Sequence, residues 1–152
     1  VMRTKSVLLS VIFLFFLMGV TGCEEKYLDT TDAIIIKELP KMYLLYGKMK
    51  QGEGKVVQSN KELLALFSQT EIDKYPDLKD VDFTTQTLLI GCDDYPCLAY
   101  LNYDFYKNKD NEFIFFIEIG GDATQPDPHF YYGIVVEKLA KTAKVIFNVV
   151  RL

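Results

Sequence analysis

Tryptophan is absent from the 152-residue chain, histidine occurs once, and arginine stands only at Arg3 and Arg151. Each scarcity removes a class of function. Phosphate backbones are held by clustered Lys and Arg, and a chain of net charge −4 with no basic cluster is not expected to bind nucleic acid. Nucleophilic catalysis needs a base within reach of Ser, Cys or Thr. His129 is the sole histidine and follows Pro128 at the start of a strand-like run, and beyond residue 22 serine occurs only at Ser59 and Ser68. A zinc site wants roughly three or four His and Cys ligands, which this chain lacks. Asp93, Asp94, Asp122 and Asp127 match no calcium-loop pattern and read as solvated loop carboxylates. No carboxylate spacing suggests glycoside hydrolysis. No metal or cofactor is therefore expected, and no enzymatic activity. Repeats and Pro/Ser-rich linkers are also missing, so one domain is expected.

What is present begins with a leader. Arg3 and Lys5 precede the apolar run SVLLSVIFLFFLMGV from Ser6 to Val20. This is the layout of a secretory signal peptide over residues 1–22, and it falls short of the ~20 apolar residues of a membrane span. Val20-Thr21-Gly22-Cys23 then resembles the lipobox of bacterial lipoproteins. The resemblance implies cleavage before Cys23, diacylglycerol on its thiol and acylation of the new amino terminus. Each buried CH₂ contributes about 0.8 kcal/mol, so two or three chains make such an anchor effectively permanent. Losing the two cations of the leader takes the net charge from −4 to −6. Glu24, where an aspartate can signal inner-membrane retention in Gram-negative lipoproteins, points to the outer membrane. Residues 23–32 carry no apolar periodicity and read as the lipidated cysteine and its tether, with a reach of roughly 30 Å.

Residues 33–152 read as a single α+β domain, an antiparallel sheet of about six to eight strands with one main helix. Ala33 to Ile36 and Met42 to Tyr46 are separate short strands with Pro40 between them, and Gln51-Gly52-Glu53-Gly54 is a turn before a strand over Lys55 to Gln58. Ser59-Asn60-Lys61-Glu62 has the form of a capping box, opening a helix with Leu63, Leu64, Leu66 and Phe67 that runs to about Gln69. Tyr75-Pro76-Asp77 ends helical continuation. From Asp82 onward the period becomes two. Gln86 to Gly91 is nearly all apolar and reads as a strand buried on both faces. Leu98 to Tyr106 turns Ala99, Leu101, Tyr103 and Phe105 one way and Tyr100, Asn102, Asp104 and Tyr106 the other. Glu112 to Ile119 follows a hairpin loop at residues 107–111, with Phe113, Phe115, Ile117 and Ile119 on one face. His129 to Val136 and Lys144 to Val150 complete the sheet as a pair, with Val145, Phe147 and Val149 toward the core.

The order Val57-x-Ser59 then helix, Val81-Asp82-Phe83-Thr84 then Thr87-Leu88-Leu89-Ile90, and late Val135-Val136-Glu137-Lys138-Leu139 resembles small bacterial lipoproteins related to the C-terminal domain of PrcB, a subunit stabilising a protease complex. The similarity runs from about Lys55 to the C-terminus. It implies a fold and a non-catalytic role. Gly91-Cys92-Asp93-Asp94-Tyr95-Pro96-Cys97 stands where that family commonly has Gly-Gly-Tyr.

Two constellations remain. Cys92 and Cys97 are the cysteines left once Cys23 is lipidated, and an oxidising compartment favours a disulfide between them, worth roughly 2 kcal/mol for so short a loop. Ten tyrosines are the other surplus. Tyr100, Tyr106 and Tyr131 fall opposite the stronger apolar sets, where tyrosine gives contact area at low entropic cost; packing of the second face is the competing account. Together these predict a membrane-anchored, non-enzymatic lipoprotein that binds another envelope protein as an accessory subunit or inhibitor. A small-ligand or glycan-binding lipoprotein is the alternative, and a hydrolase the second.

Overall fold

The computed structural model of the protein describes residues 31–95, 98–122 and 127–152. The expected leader, Cys23, most of the expected tether and Cys97 lie outside the described residues. Strands β1 (Thr31–Asp32), β2 (Ile35–Met42), β3 (Gly54–Val57), β4 (Gln86–Tyr95), β5 (Leu98–Lys109), β6 (Glu112–Asp122), β7 (Asp127–Glu137) and β8 (Lys144–Arg151) are joined by helices α1 (Asn60–Leu66), α2 (Gln69–Ile72) and α3 (Pro76–Lys79) between β3 and β4. None of these helices is long and apolar enough to cross a membrane.

The strands form two sheets of four, not one sheet of six to eight. Sheet A has the order β1-β5-β6-β8 and sheet B the order β2-β7-β4-β3. The expected total is met, but the molecule is mostly β. Its framework is two long antiparallel strand pairs, one in each sheet. In sheet B, β4 and β7 pair from Gln86↔Glu137 to Tyr95↔Asp127. In sheet A, β5 and β6 pair from Leu98↔Asp122 to Lys109↔Glu112, in a register offset from that of β4 and β7. The two pairs thus lie in different sheets, stacked with their apolar faces together. Leu89, Phe130, Tyr132, Ile134 and Val136 from sheet B meet Phe105, Phe115, Ile117 and Ile119 from sheet A in one core.

Sheet B is the middle layer. Its second face packs Leu88, Ile90, Cys92, Tyr131 and Val135 against Leu63, Phe67, Ile72 and Leu78 of the helical segment. Burial on both faces accounts for the unbroken apolar run of β4, as the sequence predicts. The face assignments for β5, β6 and β8 hold too: Phe105, Phe115, Ile117 and Ile119 are buried, with Val145, Phe147 and Val149 against them.

Several expectations are corrected. β7 and β8 do not pair; β7 lies between β2 and β4, and β8 runs parallel to β6. Pro40 does not separate two strands but lies within β2, tolerated because an edge strand has one row of unpaired backbone groups. Residues 43–46 follow as an irregular segment, and Thr31 and Asp32, expected in the tether, pair with Lys107 and Tyr106. The first helix ends at Leu66. Ser59 accepts from the Glu62 amide, but the Glu62 carboxylate accepts from Gln58 rather than from Ser59. The complete capping box forms at Ser68 and Glu71, opening α2. Pro76 begins α3, since the first helical position needs no N–H.

Candidate functional site

Cross-strand register builds the outer face of sheet A row by row. Asp32, Tyr106, Ile114 and Ile146 share one row, and Asp104, Phe116 and Asn148 the next. Asn102, Glu118 and Val150 form a third, and Tyr100 stands opposite Gly120. Among the described residues no other element lies over this face: both cores sit on the two sides of sheet B. An antiparallel sheet with one wet face ordinarily alternates apolar-in with polar-out. Here β6 turns Ile114 and Phe116 outward as well as Phe115 and Ile117 inward.

The result is a half-buried aromatic and aliphatic stripe crossing three strands. Tyr100 is 49% exposed and Ile146 37% exposed, with Tyr106, Ile114, Phe116 and Val150 partly exposed. The Tyr100 ring lies over Gly120, where a Cβ would collide with it, so this aromatic is seated by its cross-strand neighbour. Acids flank the stripe. Glu118 accepts from Asn102 Nδ2 at 2.9 Å, and the Tyr106 phenol is held above its usual value by burial and then by Asp104.

The three tyrosines expected to form a binding surface do not lie together. Tyr100 and Tyr106 are on this outer face, but Tyr131 is fully buried in the helix-side core, edge-on to Phe67 at 5.0 Å between ring centroids. Its strand belongs to the middle layer, so both of its faces are interior. Its hydroxyl lies beside the Met49 backbone with no hydrogen bond formed, and burial pushes it up to about 12.

Cys92 is a free thiol with no exposed surface. Its Sγ donates to the Lys50 carbonyl at 2.9 Å, and burial pushes it up to about 11. A thiol so placed is neither nucleophile nor metal ligand at neutral pH. The expected pairing with Cys97 falls on a residue outside the described set. His129 and Asp94 are paired, with Nδ1 and Oδ1 2.6 Å apart, and His129 stands edge-on to Tyr131. They project from the same face of sheet B as Cys92, yet that thiol already donates elsewhere.

The sequence gives no hint of one further pair. Asp93 is fully buried between the sheets, where Arg151 of β8 donates to its Oδ2. Its Oδ1 accepts from its neighbour, the Asp94 amide, at 2.8 Å and from Gln51 Nε2 at 3.4 Å. The pair ties the β8 edge of sheet A to β4, and Phe147 packing on Gly54 closes the same side. The opposite side is closed by chain continuity, Ala33 and Ile34 carrying β1 of sheet A into β2 of sheet B.

Ile114, Phe116 and Ile146 are the members of the outer stripe that a reading centred on tyrosine misses. The available signal was β6 itself, apolar at odd and even positions alike between Phe113 and Ile117. Comparison with protein families, curated proteins and solved structures finds no match, so the resemblance to PrcB-related lipoproteins gains no support.

Proposed function

We propose that this chain is a lipoprotein of the cell envelope, anchored in the outer membrane through Cys23, that binds another envelope protein with the outer face of sheet A and catalyses no reaction. One observation carries the binding role: among the described residues this sheet face has no covering layer, yet its outward positions include Tyr100, Tyr106, Ile114, Phe116 and Ile146. Contiguous exposed apolar surface of this kind marks interaction sites in soluble domains, and aromatic residues are enriched at interface centres. The acids Asp32, Asp104 and Glu118 favour a partner with a basic rim. The anchor rests on the lipobox-like Val20-Thr21-Gly22-Cys23 behind its apolar run.

Two variants test the two halves separately. Cys23→Ser is expected to move the protein out of carbonate-washed membranes; retention there would refute the anchor. Phe116→Lys with Ile146→Lys is expected to leave membrane association and melting temperature in place. The same variant should shrink the complex solubilised in mild detergent to the size of the lipoprotein alone. An unchanged complex would remove the outer face from the binding role.

A further inference from the structure

Residues at one end of sheet A have no part in the binding face. The β5–β6 hairpin closes there over Asp110 and Asn111, with Asn111 in the left-handed region at φ 59°, which Asn tolerates. Lys107 and Lys109 end β5, and the turn before β8 carries Lys141 beside Lys144, whose amide donates to the Asn111 carbonyl at 2.7 Å. Four lysines thus gather around one hairpin tip. Only two have ion-pair partners among the described residues, Lys107 with Asp110 at 3.6 Å and Lys144 with Glu112 at 3.2 Å. Lys109 and Lys141 are exposed and make none. A cleft of about 300 Å³ lined by Thr31, Lys107, Asn108, Lys109 and Asp110 opens at the same place.

Thr31 gives this end its meaning. It is the first described residue and pairs with Lys107, at the lysine-bearing tip. From Cys23 to Thr31 the chain spans eight residues, at most roughly 30 Å when fully extended. We infer that the hairpin tip of sheet A, through Lys109 and Lys141 with Lys107 and Lys144 beside them, rests on the anionic phospholipid headgroups of the membrane that holds the lipid anchor. This rests on the anchoring of Cys23 proposed above. Two independent features agree on the same end: the point where the tether enters, and the cationic side chains of a protein that is net acidic. The other end of sheet A lies about 40 Å away along the twelve residues of β5, so resting that end on the bilayer would carry Thr31 beyond the tether's reach. In this pose the strands of sheet A stand up from the bilayer. Their outer face then looks along the membrane plane, toward neighbouring envelope proteins.

Lysine footprinting of the full lipoprotein tests the pose. The mature protein is placed in vesicles of phosphatidylcholine alone or of phosphatidylcholine with phosphatidylglycerol, labelled briefly with an amine-reactive reagent, and read by peptide mass spectrometry. Lys109 and Lys141 are expected to react about fivefold more slowly on anionic vesicles, the factor that corresponds to about 1 kcal/mol of attraction per lysine. Lys61, Lys74 and Lys79 of the helical layer should react equally on both. Uniform labelling, or protection of the helical lysines instead, overturns the orientation while leaving the anchor in place. The intact mass of the same sample reports the anchor independently. A mature amino terminus without diacylglycerol on Cys23 would sink that reading, and the orientation with it.

Discussion

Arg151 is the only guanidinium beyond Arg3, and the fold uses it to neutralise the one carboxylate that is buried between the sheets among the described residues. Breaking a buried pair leaves an uncompensated charge, whereas replacing both members can be nearly neutral. Arg151 is itself half exposed, so Arg151→Met is expected to cost about 2–3 kcal/mol, at the low end for such pairs. Asp93→Asn with Arg151→Met should cost clearly less than Arg151→Met alone. Urea melts of the single and double variants decide it, and additive losses would show that the two residues are not coupled. Tyr131 gives a second contrast. Tyr131→Phe removes only an unbonded buried hydroxyl and should change stability by less than about 1 kcal/mol, while Tyr131→Ala should cost about 3–5 kcal/mol. Tyr100→Ala, on the outer face, should stay within about 1 kcal/mol. Cys92 is expected to resist alkylation in the folded protein and to react once unfolded without reductant. If the unfolded protein takes up no label at Cys92, the thiol is already bonded and the Cys92–Cys97 disulfide stands in its place.

At the scale of elements, local signals were the legible part. Period-two alternation located β5, β6 and β8 and oriented their faces, and the apolar run of β4 announced a strand covered on both sides. Ser59 was legible as a cap because capping is settled within four residues. The same signal sits at Ser68 and Glu71, where Glu71 stays below its ordinary value of 4.5, held there first by the Ser68 hydroxyl and then by the Ser68 and Tyr46 amides. A carboxylate depressed in the folded state contributes stability that is fully present above its unfolded value and is lost as pH falls through the folded one. Ser68→Ala should therefore cost about 1 kcal/mol at neutral pH. It should also flatten the loss of stability below pH 4.5, and parallel acid titration of the two proteins by circular dichroism measures both. Partner choice among strands was not legible. Alternation reads the same whichever sheet a strand joins, so it could not show that β4 and β5 part company, or that β8 runs parallel to β6. Tyr131 was misplaced for this reason: a strand in the middle layer has no outer face, and its tyrosine is core on either side. Pro40 misled because its cost depends on whether the strand is an edge, a property of the sheet rather than of the tripeptide.

At the scale of the whole molecule, the described strands make two stacked sheets, and the helical segment covers only one of them. Sheet B is thereby buried twice and sheet A once. That asymmetry is the origin of the exposed stripe, and it leaves one broad face open while Thr31, the first described residue, stands at one end of the same sheet. A second set of exposed apolar side chains, Leu44, Tyr46 and Leu64, lies on the helical side, which makes a direct comparison of the two sides possible. Photo-crosslinking amino acids placed singly at Phe116, Ile146, Tyr46 and Leu64 in the native membrane provide it. The account predicts that Phe116 and Ile146 yield one and the same discrete adduct with an envelope protein, lost in each case when Tyr106→Lys is added, while Tyr46 and Leu64 yield none. Adducts arising from the helical side with none from sheet A would contradict it.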